Sequence, residues 1–262
     1  MKIIKLLKFI LMISLVVPAL VLGLTSCAPD MKDFVVREGC IEYIPKDLDP
    51  GKKYPLLFVF SPDGNATNAA SYLREVADKE KVIILADGHF KEGVDLTSLF
   101  PKFEINLNRA MRQYPIDPDR IIAVGFDEGA TAAYLFCESY PSLVNGVIAN
   151  CGIMIYGSGE FRSQGMPKDF PRNKSGALLS THEDFRYNQM LGDQKNLEAM
   201  GWNCKFFVFS GGDHVTAPKE TYIEAVKWIK EDFEKKKGGA TPAKSTASEN
   251  KTGKEKSKTK GK

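Results

Sequence analysis

One segment, Arg120-Ile-Ile-Ala-Val-Gly-Phe-Asp-Glu-Gly-Ala-Thr-Ala-Ala-Tyr134, constrains what this chain can fold into more than any other. Ile121, Ile122 and Val124 make a stiff, apolar run suited to a buried strand, and Ala130 to Ala133 make a small-residue run suited to a helix pressed on a sheet. Between them stands Gly125-Phe126-Asp127-Glu128-Gly129. Glycines at that spacing let strand and helix approach closely across a sharp turn that presents its central side chain. An elbow of this outline ordinarily presents a serine, and here it presents Asp127.

The rest of the body, Asp33 to Glu234, alternates strand-like and helix-like periods, which predicts an α/β sheet covered by helices. Strands are expected at Val35–Arg37, Cys40–Ile44, Tyr54–Phe60, Val82–Ala86, Ile121–Val124, Val147–Asn150, Ala177–Ser180 and Cys204–Phe209. Tyr54–Phe60 is nearly all apolar, as in a strand covered on both faces. Helices are expected at Ala66–Lys79, Phe103–Gln113, Gly129–Ser139, Asn188–Met200 and Glu220–Phe233. No internal repeat is visible, and the body has the size of one domain.

Both ends read as something other than core. Residues 1–26 place Lys2, Lys5 and Lys8 before an apolar run from Phe9 to Leu24, the layout of a secretory signal, with an uncleaved anchor helix as the alternative. Residues 27–34 form a tether, 35–234 the domain, and 235–262 a tail of Lys, Gly, Ser, Thr, Ala and Pro with too little apolar surface to order itself. The tail carries ten Lys against Glu249 and Glu255, and the leader three Lys, so of the chain's net +3 the body keeps about −8. That balance disfavours nucleic-acid binding by the domain. A Lys-rich tail suits anionic lipid or another acidic envelope polymer, or serves as a solubilising spacer.

Cys40, Cys137, Cys151 and Cys204 show no C-x-x-C spacing, and a zinc site is rejected on that ground. They allow three full pairings in an oxidising compartment, but buried free thiols are the expectation. No cofactor is called for.

Leu24-Thr25-Ser26-Cys27 resembles the lipobox of bacterial lipoproteins. The resemblance implies that Cys27 is acylated, that the protein is anchored in the cell envelope, and that Ala28 favours the outer membrane where there is one. The body resembles the polyhydroxybutyrate-depolymerase and feruloyl-esterase-like branch of the α/β-hydrolases, from about Ile41 to Ile229. Tyr114-Pro-Ile-Asp-Pro-Asp-Arg120, the elbow after it, and the Tyr140-Pro141 pair that closes the following helix carry the likeness. It implies a three-layer α/β-hydrolase fold with a mostly parallel sheet and no large cap, since Gly152–Ser175 is short for one. It implies Asp127 at the nucleophile position, Asp184 as the acid in Thr181-His182-Glu183-Asp184, and His214 as the base in Gly211-Gly212-Asp213-His214. The amide of Glu128 and the loop at Ser61 and Pro62 would form the oxyanion hole, although the family commonly has His-Gly in that loop.

Asp127 departs from that pattern in a decisive way. A carboxylate attacking an ester gives a mixed anhydride from a poor nucleophile, so serine-esterase turnover is not expected. Glu128 adds a second negative charge where an oxyanion would develop. The reading is a lipid-anchored, catalytically degenerate hydrolase-fold protein whose small-molecule or polymer ester ligand is unspecified. The alternative is an active esterase, dehalogenase or epoxide-hydrolase-like enzyme using Asp127 as nucleophile with His214 and Asp184. His182, His89 and Ser61 are weaker site candidates, and Trp202 and Trp228 are expected to pack.

Overall fold

The computed structural model describes residues 33–155 and 166–239. The leader 1–26, Cys27, most of the tether and residues 240–262 of the tail lie outside the described residues. Among the described residues eight strands form one sheet: β1 (Phe34–Arg37), β2 (Cys40–Tyr43), β3 (Tyr54–Phe60), β4 (Ile83–Asp87), β5 (Ile116–Phe126), β6 (Gly146–Asn150), β7 (Ser175–Ser180) and β8 (Asn203–Val208). Their spatial order is β1-β2-β4-β3-β5-β6-β7-β8. β2 runs antiparallel to both neighbours and all other pairings are parallel.

Among the described residues five helices cover the two faces: α1 (Ala66–Glu80), α2 (Leu96–Gln113), α3 (Glu128–Ser139), α4 (Tyr187–Ala199) and α5 (Lys219–Gly239). The period of two in each strand divides the core between them. In β3, Leu56, Phe58 and Phe60 face the side of α2 and α3, while Leu57 and Val59 face α1 and α5. The α2–α3 side is built on aromatic rings, Phe58, Phe60, Phe103 and Phe136, with centroids 5.0–5.9 Å apart. The opposite side is mainly aliphatic. This is the expected three-layer arrangement.

Three boundaries differ from the sequence reading by more than two residues. α2 begins at Leu96 rather than Phe103 because Asp95 caps it, its carboxylate accepting from the Thr97 amide at 3.0 Å. β5 begins at Ile116 because Tyr54 pairs with Ile116 across a register irregularity. The boundary drawn after Glu234 falls inside α5, which runs to Gly239. There Lys236 pairs with Asp232 at 2.7 Å and Lys237 with Asp117 at 3.3 Å, so the first basic residues of the supposed tail are helical.

Register aligns the C-terminal ends of the parallel strands along one edge. Phe60 sits beside Asp87 and Gly125, Phe126 beside Asn150, and Asn150 beside Leu179. Loops leaving that edge carry the residues discussed below, as is usual for open α/β sheets.

Candidate active site

β5 gives way to α3 through Asp127, whose φ of 53° and ψ of −123° are strained for any residue but glycine. The tight approach is what requires the flanking glycines: a Cβ on Gly125 would lie 2.0 Å from the Gly129 carbonyl, and one on Gly129 would lie 2.4 Å from the Phe60 oxygen. Asp127 occupies the cap position of α3 without capping it. An aspartate there normally accepts from the first turn of the helix. The strained backbone turns this one outward, and two other groups take it up.

The first is His214. Its Nε2 lies 3.2 Å from Asp127 Oδ1, and its Nδ1 lies 3.2 Å from Asp184 Oδ2. The three residues expected from three distant loops therefore meet in the order nucleophile position, base, acid. The Asp184 side chain is fully buried, and its backbone N–H donates to Thr181 Oγ1 at 3.1 Å. Thr181 Oγ1 in turn donates to the Gly212 carbonyl, and the Phe185 amide donates to Asp213, so the acid loop and the histidine loop hold one another. Buried Asn150 braces the same junction: its Oδ1 accepts from the Ala217 amide and Tyr222 hydroxyl, and its Nδ2 donates to the Leu179 carbonyl. Phe126 and Phe185 lie against the His214 ring, with centroids at 5.4 and 4.9 Å.

The second group is Arg186, which the sequence reading missed. Its Nη1 donates to Asp127 Oδ1, its Nη2 lies 3.2 Å from Glu128 Oε1, and its guanidinium sits 5.1 Å from the Phe185 ring centroid. The Arg186 amide also donates to Asp184 Oδ1 at 2.6 Å, tying this residue to the acid. A cation two residues beyond the acid, in a chain whose apex residue is a carboxylate, was the available signal.

Burial opposes charge on Asp127, but the bond with Glu128 and the charges of Arg186 and His214 outweigh it and hold its carboxyl below the ordinary range. Glu128 is pushed the other way, first by its hydrogen bond with Asp127 and then by burial. The apex is thus an ion-paired carboxylate cluster with no hydroxyl or thiol on it.

Ser61 and Pro62 line a cavity of about 380 Å³ together with Gly125 and Phe126 of the elbow and with Asp63, Tyr72 and Thr216. Ser61 Oγ donates to Asp63 Oδ1 at 2.5 Å. Pro62 has no N–H and so cannot be an oxyanion donor itself. Its carbonyl accepts from the Glu92 amide. His182 is exposed against the Tyr187 ring, and His89 lies with Asp87 and Cys40 on another part of the sheet edge. Trp202 and Trp228 pack, Trp202 donating to the Pro171 carbonyl. All four cysteines in the described residues are free.

No family model and no curated protein matches the sequence. Solved structures do match in shape. A thermostable esterase superposes with a TM-score of 0.54 at 16% identity over 77% of this chain, which spans 63% of that protein. The carboxylesterase of Bacillus cereus gives 0.54 at 20% identity, covering 74% of this chain and 93% of that one. Esterase 2 of Thermogutta terrifontis gives 0.58 at 14% identity, covering 78% and 95%. Identities this low speak to architecture alone, and the sheet order with its single antiparallel strand, the strained elbow and these likenesses agree that the chain has the α/β-hydrolase fold.

Proposed function

We propose that this is an envelope protein, anchored through acylated Cys27, whose α/β-hydrolase domain has the layout of a polyester or feruloyl esterase but is catalytically degenerate as one. The observation that carries this reading is the placement of Arg186 against Asp127 at the apex. In a serine esterase the apex oxygen must lose a proton to the histidine and attack a carbonyl, while amides stabilise the oxyanion. Here the apex oxygen carries no proton to give, is neutralised by a guanidinium, and has the Glu128 carboxylate beside it. In this reading the His214–Asp184 couple is retained for binding, and an ester-bearing small molecule or polymer is the ligand class we assign to it.

Purified mature protein assayed on short acyl esters tests this. Wild type should be at least about a hundredfold slower than Asp127→Ser, because loss of triad members costs several orders of magnitude. The gained activity should vanish in Asp127→Ser/His214→Ala. Ester turnover by wild type equal to that of Asp127→Ser would overturn the proposal. A second reading is favoured by the 3.2 Å contact of His214 with Asp127: a carboxylate nucleophile attacking a saturated carbon, with histidine activating water. Turnover of a haloalkane or epoxide that is lost in Asp127→Asn, with an alkyl ester trapped on Asp127, would establish it.

A further inference from the structure

Cys40, Asp87 and His89 meet at the sheet edge outside the elbow cluster. The β1–β2 turn has both residues, Glu38 and Gly39, at positive φ (49° and 76°), the signature of a type I′ hairpin. That turn sets Cys40, the first residue of β2, opposite Arg37, and on its other side Cys40 pairs with Asp87, the last residue of β4. The Asp87 side chain is fully buried. Its Oδ2 accepts from the amides of His89 (2.9 Å) and Phe90 (2.7 Å), which locks the carboxylate. Oδ1 is left facing His89 Nδ1 at 2.9 Å and Cys40 Sγ at 3.8 Å.

One donor atom from each of the three residues lies within 4.8 Å of the other two. Nearby Arg109 is engaged by Glu42 and Glu38, so among the described residues no lysine or arginine pairs with Asp87. The Asn106 amide donates to Cys40 Sγ at 3.3 Å, and a recess of about 160 Å³ lined by Glu38, His89, Lys102, Ile105 and Asn106 reaches the cluster from solvent.

We propose that Cys40, Asp87 and His89 form a binding site for a divalent transition-metal ion, with zinc the best fit. A tetrahedral ion with bonds of about 2.0–2.3 Å separates its ligand atoms by roughly 3.3–3.8 Å. The 2.9 and 3.8 Å spacings to Asp87 bracket that range, and the Cys40 and His89 ligand atoms lie within 4.8 Å of each other. Sulfur, imidazole and carboxylate together select zinc over magnesium or calcium, which take oxygen alone. On binding, the Cys40 thiol proton leaves to solvent and the His89 imidazole carries its proton on Nε2, which frees Nδ1 for the ion, while the Asn106 donor supports the thiolate from outside the ligand set. The fourth position faces the recess, where water or the Glu38 carboxylate completes it. Cys151, Asp184 and His214 also cluster, but there the sulfur is turned to the Val215 carbonyl at 3.3 Å and the Arg186 amide already donates to Asp184 Oδ1. A metal at Cys40 ties the β1–β2 hairpin to the end of β4. No sequence spacing announces the site, because strand pairing is what brings Cys40 to Asp87 and His89.

The test strips the purified mature protein with chelator and titrates it with Co²⁺ and then Zn²⁺. One ion should bind per chain, with a thiolate-to-cobalt charge-transfer band that zinc abolishes. Zinc at a hundredfold excess over its Kd should raise Tm by several degrees. Cys40→Ser and His89→Gln should each lose both effects, and His214→Gln should keep them. His89 lies near the surface, so its substitution is readable even if Cys40→Ser fails to fold. Absence of stoichiometric binding in wild type, binding that persists in His89→Gln, or binding lost in His214→Gln would each overturn the site.

Discussion

Two carboxylate–histidine pairs stand on the same edge of one sheet. In Asp184–His214 and Asp87–His89 alike, the carboxylate is fully buried, the imidazole Nδ1 faces it at 3.2 or 2.9 Å, and a buried cysteine lies alongside. They differ in their surroundings. His214 stands between two aromatic rings with its Nε2 directed at a carboxylate that Arg186 already neutralises. His89 packs over Gly39, where an added Cβ would meet its ring at 2.6 Å, and no apex residue reaches it. An acid–histidine couple therefore has no function by itself. The third partner decides whether it can relay a proton, sit in an ionic cluster or offer ligands to a metal.

The largest expected effect tests the likeness between the two cysteines. Burial is the first cause that pushes the thiols of Cys40 and Cys151 up to about 12 from a reference of 9.0. In chelator-treated protein each should alkylate about a thousandfold more slowly than in denatured protein, since three pKa units remove that much thiolate. Mass spectrometry of time-quenched samples reads this site by site. Fast labelling of Cys151 alone would mean that the apex cluster opens in solution.

The next effect separates the two histidines in activity. In the Asp127→Ser background, Asp184→Asn should lower the gained ester hydrolysis by tenfold or more, whereas His89→Gln should leave it within about twofold. Equal losses would show that the couples are linked through the sheet.

Arg186 sharpens the comparison through stability. Arg186→Gln leaves Asp127 and Glu128 facing each other without their shared cation, and should cost roughly 1–3 kcal/mol at pH 7, or several degrees in Tm. The pH dependence has a defined sign. Asp127 is depressed, so its contribution is present above the ordinary carboxylate value near 3.8 and is lost as pH falls through the folded value. Glu128 is raised above 4.5, so its contribution is present in acid and lost as pH rises through its folded value. Wild type should therefore lose stability below about pH 4 that Asp127→Asn does not lose. Parallel acid limbs would remove the ionic cluster from the explanation.

The smallest effect concerns the basic end. Truncation after Gly239 should leave Tm within about a degree, and truncation after Glu234 should lower it by a few degrees. The second cut removes Lys236, which pairs with Asp232 and donates to Ser175 at 2.9 Å. Equal melting of the two truncations would show that those pairs contribute nothing.

By itself the sequence determined the sheet, its helices and the elbow. Those features arise from local patterns: the β-branched run at Ile121, the glycines at 125 and 129, and the alternation that sends Leu56 and Phe58 to one face and Leu57 to the other. Resemblance to the order of roles in this fold also singled out Asp127, Asp184 and His214, whose side chains meet with His214 at 3.2 Å from each carboxylate. Helix and tail boundaries were less legible, because Asp95 starts α2 early and Asp232 and Asp117 hold the lysines of α5. Only the tertiary structure decided that Arg186 neutralises the apex, and only strand register brought Cys40 to Asp87 across 47 residues of chain. The physical reason is range: backbone propensity acts over a few residues, whereas pairing of charges and ligands depends on distances that exist only once the chain has closed on itself.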